Sequence, residues 1–337
     1  MSNLEVEPRE LVCDPTDAVQ GDVELLEPRD VPLGGPRAMT VRRTLPQRER
    51  SLIGAWCFCD HYGPDDVSTT GGMIVPPHPH TSLQTVSWLF AGEIEHRDST
   101  GAHAMVRPGE LNLMTAGAGI QHSEVSTPAT TTLHGVQLWT ALPESARHHE
   151  PMFESYIPEM FDHEGASVSV FLGSLLGRTS TASAFTPIVG AQFDIPANTA
   201  ITVPVDSTFE HGVLVDTGSV TLDGTAIPAA NIGYRAPGET QLDLATGENP
   251  ARIILLGGEP FGESIVMWWN FIGRSHDEIV ESRTQWMADV IDGPHPGGDP
   301  AGPFGRVDGY DGKPLPAPAL PLGRLRPRAR PSDAPDS

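Results

Sequence analysis

Short apolar runs punctuated by glycine and proline dominate the chain, and long apolar helical stretches are missing. From Gly71 to Leu142 the segments TVSWLF, GEIEHRD and HGVQLWTAL follow one another at strand length, and LHGVQLW alternates apolar with polar positions. Upstream, MTVRRTLP reads as an entering strand. A second series begins near Phe185 with IVGAQFDI, AITVPV, HGVLVDTGSVTLDG, NIGYRAPGE and ARIILLGGEP. Laying TVSWLFAGEIEHRD over HGVLVDTGSVTLDG matches Gly92 with Gly218, the mark of an internal duplication. The pattern predicts an all-β protein of two closed or double-sheet barrels, one at residues 36–150 and one at 180–291.

Three segments fall outside the barrels. Residues 1 to about 35 read as an irregular acidic arm. SHDEIVESRTQWMADVI predicts a helix, with Ser275 as N-cap, Glu278 three residues on, and Ile279, Trp286, Met287 and Val290 on an apolar side. Residues 292–337, rich in Gly, Pro and Ala and closing on an arginine run, predict a flexible tail, loose or draped over the barrels and dispensable for their folding.

Glycine (35) and proline (33) fit a turn-rich β architecture. The 44 acidic against 21 basic residues give a net charge of −23, a field that repels phosphate backbones and anionic lipid, so neither nucleic acid nor membrane is an expected partner. The N-terminus carries no basic start followed by an apolar stretch, and no run of apolar residues is long enough to span a bilayer, which predicts a cytoplasmic protein. Three cysteines are an odd number for a disulfide framework; Cys57 and Cys59, two apart in WCFCDHYGP, are assigned to packing.

The chemistry concentrates in two short pairs. In PPHPHTSLQTVSWLF, His78 and His80 are two apart at the mouth of a predicted strand and therefore share a face; Pro79 between them suits a barrel rim. In MTAGAGIQHSEV, His122 and Glu124 repeat the spacing. Any single one of the chain's 13 histidines is best read as structural, but the repeated pairs predict a metal site of His78, His80, His122 and Glu124. Three imidazoles and a carboxylate suit a redox-capable divalent ion with positions left open, iron(II) first, with manganese, copper, nickel and zinc also compatible.

DHYGP, PHPHTSLQTVSWLFAGEIEHRDS, RPGELNLMTAGAGIQHSE and LHGVQLW resemble the pirin family of the cupin superfamily over roughly residues 35 to 290. The resemblance implies two stacked cupin-type barrels (a bicupin), an iron centre in the N-terminal one, and ligands at His78, His80, His122 and Glu124. It implies two functional classes. One is an iron-dependent dioxygenase of quercetin 2,3-dioxygenase type, acting on a small aromatic flavonol-like substrate and dioxygen, with Glu124 as catalytic base. The other is a non-enzymatic iron-dependent redox sensor that binds a protein partner. Gln84 stands where the family commonly has glutamate, which puts the tuning of the ligands in question.

The second series serves as an internal control. The overlay sets Pro204 and Asp206 against the two histidines, and Asp243 and Ala245 against His122 and Glu124, so no ligand set is expected there. His211 is read as a hydrogen-bonded barrel residue, and His96, His103 and His134 as structural.

Overall fold

The computed structural model describes residues 11–13, 22–33, 39–48, 50–70 and 72–325. Strands dominate, and the predicted runs supply them: TVSWLF lies in Leu83–Ala91, GEIEHRD and ARIILLGGEP contain Ile94–Asp98 and Ala251–Gly258, and HGVQLWTAL gives most of Thr132–Ala141. Each half is a pair of facing antiparallel sheets. In the first, a seven-stranded sheet containing Leu83–Ala91, Thr132–Ala141 and Trp56–Asp66 faces a four-stranded sheet of Ile74–His80, Ile120–Ser126, Ile94–Asp98 and His103–Val106. In the second, an eight-stranded sheet centred on Ala251–Gly258 faces Ala200–Pro204, Gln241–Thr246, Ser219–Leu222 and Thr225–Pro228. The architecture is the all-β pair of barrels that the pattern predicts, of the cupin type that the resemblance implies; we propose 36–150 and 180–291 as the extents of the two units.

The duplication is visible at a turn. Gly92 and Gly218 each follow a core strand with φ of +91° and +75°, and an added Cβ at either would lie 2.6 Å from the Thr132 carbonyl oxygen or 2.3 Å from that of Pro250. Both glycines are therefore required by backbone conformation and by the close approach of the next strand.

The barrels are joined by apolar packing and a few buried hydrogen bonds. Trp56 Nε1 donates to the carbonyls of Val189 and Gly257, both at 3.2 Å, and Trp88 stacks on Phe171 at 4.7 Å. One continuous core runs through Trp56, Trp88, Phe171, Leu214 and Ile254.

Two expectations change. The acidic arm is not wholly irregular: Leu11–Cys13 pairs with Ile265–Trp268, Glu24–Leu26 crosses to the second barrel against Ile232–Arg235, and Arg29–Leu33 joins the first against Met39–Leu45. The tail is not loose over its described part, up to residue 325. Phe304, Ala317 and Leu325 are buried in a cluster with Trp286 and Val290, Trp286 Nε1 donates to the Leu315 carbonyl at 2.9 Å, and Leu315 N–H donates to the Pro77 carbonyl at 2.8 Å. A few apolar anchors spaced along a proline-rich segment hold it down, although its average composition is poor in them. Residues 326–337 lie outside the described residues. The helix forms as predicted over His276–Trp286, the Ser275 hydroxyl accepting from the Glu278 N–H at 3.3 Å.

Cys57 and Cys59 are buried in the core, and burial pushes the Cys59 thiol up to about 12, which removes its thiolate at neutral pH. No helix among the described residues is long and apolar enough to cross a membrane.

Candidate metal centre

The four-stranded sheet of the first barrel brings the predicted pairs side by side. His78 pairs with His122 and His80 with Ile120 across the antiparallel ladder, so three imidazoles face the interior. Between His122 and Glu124 the register shifts by one: Glu124 pairs with Val75. The extra residue falls in Pro76–Pro77, where neither residue has an N–H to lose from the ladder. The bulge also frees carbonyls for other tasks, since Pro76 O accepts from the His78 ring and Pro77 O anchors the tail.

All four side chains are buried, with exposures of 0% for His78 and His80 and 1% for His122 and Glu124. The ligand atoms of His78, His80 and His122 lie within 4.8 Å of one another, and the Nε2 atoms of His80 and His122 are 3.1 Å apart. Two nitrogens bound at right angles to an ion at about 2.1 Å would stand about 3 Å apart, so this spacing suits adjacent positions around one ion. Glu124 is outside that mutual distance. Its Oε1 accepts from Ser87 Oγ at 3.4 Å, on the opposing sheet, and Ser87 Oγ also reaches Gln137 Oε1 at 2.8 Å.

Hydrogen bonds settle which ring nitrogens carry protons. His78 Nδ1–H donates to the Pro76 carbonyl at 2.8 Å and His80 Nδ1–H to the Asn270 carbonyl at 3.2 Å. A carbonyl can only accept, so in each neutral ring Nε2 keeps its lone pair. His78 Nε2 is fully buried with no hydrogen-bond partner among the described residues. Burial holds the His78 imidazole down to about 4, against the opposing pull of Glu124, and holds His80 and His122 well below the usual histidine range with help from neighbouring imidazoles. The rings are therefore neutral at physiological pH, as metal ligation requires. The buried lone pairs of His78 and His80 Nε2, converging beside His122 Nε2, are a donor set a divalent transition metal would satisfy, and the residues fit such an ion.

The other residues singled out in the sequence divide clearly. Gln84 is on the opposing sheet, where its Nε2 donates to Thr115 Oγ1 at 2.9 Å and to the Ser183 carbonyl at 3.1 Å, while Oε1 accepts from Thr140 Oγ1 at 3.2 Å. An amide is needed there because a carboxylate could not donate to Ser183; Gln84 ties the barrel to the following segment. His103 is exposed against Glu95 at 2.8 Å. His211 departs from expectation: it is buried, yet both ring nitrogens lack a hydrogen-bond partner among the described residues, and burial lowers its pKa to about 4. His96 is not remote from the candidate ligands, since its Nδ1 lies 3.4 Å from His122 Nδ1.

A second buried group, His61, His134 and Asp216, joins the two barrels and was not foreseen as a set. Asp216 Oδ1 accepts from His61 Nε2 at 2.7 Å and from His134 Nε2 at 2.6 Å, and Arg252 reaches Oδ2 at 3.4 Å. These contacts are shorter than the spacing of about 3 Å between neighbouring ligands of one ion and match charge-assisted hydrogen bonds. The group reads as a clasp, with its donors and acceptor already matched. Burial raises the Asp216 pKa, but the bonds from His134 and His61 outweigh it and bring it down to about 2.

In the second barrel the overlay of the sequence is displaced, by one residue at the His122 position and by three at the His78 position. Asp243 points outward, while Leu242 and Leu244 are buried. Leu244 pairs with Ile201 on one side and Leu222 on the other, as His122 pairs with His78 and Asp98. Side chains alternate with period two, so a slip of one exchanges core for surface. The positions matching His78 and His122 hold Ile201 and Leu244, not Pro204 and Asp243.

Comparison with known proteins places these features. Family models described as Pirin and as Pirin C-terminal cupin domain match residues 38–140 and 190–290. A Pseudomonas aeruginosa protein named provisionally as a quercetin 2,3-dioxygenase is 38% identical over 295 residues, 87% of this chain and 89% of its own length. The crystal structure of a quercetin 2,3-dioxygenase from Acinetobacter baumannii superposes with a TM-score of 0.82 at 34% identity, covering 90% of this chain and 98% of that one. A bacterial pirin from Escherichia coli, solved in complex with nickel(II), shares the fold at a TM-score of 0.56 and 18% identity, over 71% of this chain and 99% of that one.

Proposed function

The chain belongs to the pirin family, and from that premise we propose that its N-terminal barrel holds one divalent transition metal ion, iron(II) first, and acts as a dioxygenase of quercetin 2,3-dioxygenase type on a flavonol-like substrate. The observation that carries the reading is the set of three buried imidazoles whose ring nitrogens converge, with the Nδ1–H groups of His78 and His80 engaged by backbone carbonyls. The Acinetobacter and Pseudomonas relatives, both named for quercetin 2,3-dioxygenase, supply the substrate class.

A bound ion would supply Lewis acidity and a place where an electron-rich substrate and dioxygen meet. His78, His80 and His122 would hold it, with Glu124 as fourth ligand. Glu124 has a further task, because a flavonol must lose its hydroxyl proton to become electron-rich. Its carboxylate is buried, lies within electrostatic reach of His78, and accepts at Oε1 from the Ser87 hydroxyl of the opposing sheet. It can therefore take that proton inside the barrel, with Ser87 and Gln137 ready to stabilise the carboxyl group that results. Edge-on to His80, the Trp139 ring at 5.1 Å forms an apolar wall backed by Phe58 at 4.1 Å, which limits water at this end of the site.

The test is oxygen uptake with a panel of flavonols after anaerobic iron loading. Glu124→Gln keeps size and one oxygen donor but removes the base, so iron content should hold while uptake falls by about 100-fold or more, with partial recovery at a pH that ionises the flavonol in solution. Full iron with undiminished uptake would remove Glu124 from the reaction. No uptake by the wild type with any flavonol would favour the redox-sensor reading, examined by comparing partner binding of the iron(II) and iron(III) forms.

A further inference from the structure

Of the three candidate histidine ligands, two have their outer ring nitrogen held by backbone carbonyls, and only His122 has a side chain against it. We propose that His96 and Asp98 form a positioning dyad that fixes the ring and the tautomer of His122 and thereby sets the metal affinity of the barrel; this rests on reading the site as a metal centre.

The placement comes from the ladder. Ile94–Asp98 pairs with Ile120–Ser126 so that Asp98 faces His122 and His96 faces Glu124, and all four side chains occupy one side of the sheet. His96 and Asp98 are buried, at 3% and 2% exposure. Asp98 Oδ1 is locked by Thr100 N–H at 2.8 Å, Thr100 Oγ1 at 2.6 Å and Ala102 N–H at 3.2 Å, which leaves Oδ2 aimed at His96 Nε2 at 3.0 Å.

The protons follow from this geometry. A carboxylate only accepts, so a neutral His96 carries its hydrogen on Nε2 and presents a lone pair at Nδ1. That nitrogen is 3.4 Å from His122 Nδ1, which must then be the donor. His122 Nε2 is left with its lone pair, facing His80 Nε2 at 3.1 Å. The His96 ring cannot turn away easily, because it stacks on Phe153 at 4.6 Å with an interplanar angle of 24°. A carboxylate behind an imidazole behind a ligand is the arrangement by which outer groups orient a metal-binding histidine and raise its donor strength.

The second barrel agrees. Val220 and Leu222 occupy the positions of His96 and Asp98 in the corresponding ladder, so the dyad is absent together with the ligands. A purely structural polar pair would have no reason to vanish with them.

The experiment uses the full chain labelled with 15N-histidine and titrated with zinc(II), a diamagnetic probe. Long-range 1H–15N spectra should show His122 as the Nδ1–H tautomer in both the metal-free and the zinc-loaded protein. His96→Phe keeps the stack on Phe153 and removes the acceptor; Asp98→Asn keeps an Oδ1 acceptor for the 100–102 turn and removes the carboxylate. Each should weaken zinc binding by about 10- to 100-fold and reduce the Nδ1–H tautomer of His122 in the metal-free protein, whereas His103→Gln should change neither. If Asp98→Asn fails to fold, His96→Phe decides alone. Wild-type zinc affinity with an unchanged His122 tautomer in folded His96→Phe would overturn the proposal. A wild type that binds no zinc would overturn the metal-centre reading, while the tautomer of the metal-free protein would still decide the dyad.

Discussion

The two barrels carry the same three-strand ladder with opposite contents. In the first it reads His78, His122, Asp98; in the second, Ile201, Leu244, Leu222. One ladder buries polar groups whose hydrogen bonds leave lone pairs converging on a point, and the other buries hydrocarbon that needs no partner. Duplication of the fold thus separates two duties. The second barrel stabilises by packing, and the first gives up part of that packing for a site. Residue type and proximity alone do not make the difference, because His61, His134 and Asp216 are equally buried and close, yet their protons are already matched to an acceptor.

The comparison breaks most sharply at the proposed ligands. His78→Ala combined with His122→Ala should reduce metal from about one ion per chain to almost none by elemental analysis, whereas His61→Ala with His134→Ala should leave it near one. Metal retained in the first variant, or lost in the second, would exchange the roles of the two clusters.

Next in size is the tail. Deleting residues 300–337 removes Phe304, Ala317 and Leu325 from a buried cluster and uncovers Gln121, the neighbour of His122, whose Nε2 donates to Gly305 O at 2.6 Å. We expect a loss of about 5 kcal/mol or more in urea unfolding, on the scale of deleting large buried side chains. An unchanged midpoint would show that the segment drapes without stabilising.

Leu244→Ala in the second barrel should cost about 2–5 kcal/mol with metal content unaltered, the opposite signature to a ligand variant. A smaller effect is expected at the clasp. Asp216→Asn should cost about 2 kcal/mol, because it leaves two buried imidazole donors with a weaker acceptor. Its pH dependence has a definite sign. The folded Asp216 pKa is depressed to about 2, so its contribution is fully present above about pH 4 and is lost as pH falls towards 2. Wild type and Asp216→Asn should therefore converge in stability at the acid end; parallel curves would contradict the clasp.

Much of this was legible in the sequence because it depends on local periodicity. The spacing of His78 with His80 and of His122 with Glu124 puts each pair on one face of a strand, and the Ser275 cap announces its helix. What was not legible depends on pairing between distant strands. The bulge at Pro76–Pro77 sets Glu124 opposite Val75, and no local pattern reports it. His96 and Asp98 repeat the same two-residue spacing as the ligands, in HRD, and that signal was open to reading. The second barrel's phase was misassigned because an overlay anchored on glycine can slip by an odd number of residues where β-strands tolerate no slip. Asp216 reaches its histidines across the barrel interface, more than 80 residues away in sequence from either.

The central claim is that one ion sits in the first barrel on histidine nitrogen. X-ray absorption at the iron edge of anaerobically loaded, full-length protein tests it most directly. The account predicts about one iron per chain, with nitrogen and oxygen neighbours near 2.1 Å and the multiple scattering of three imidazole rings. Sulfur neighbours, fewer than two imidazoles, or a second equivalent held as tightly as the first would contradict it.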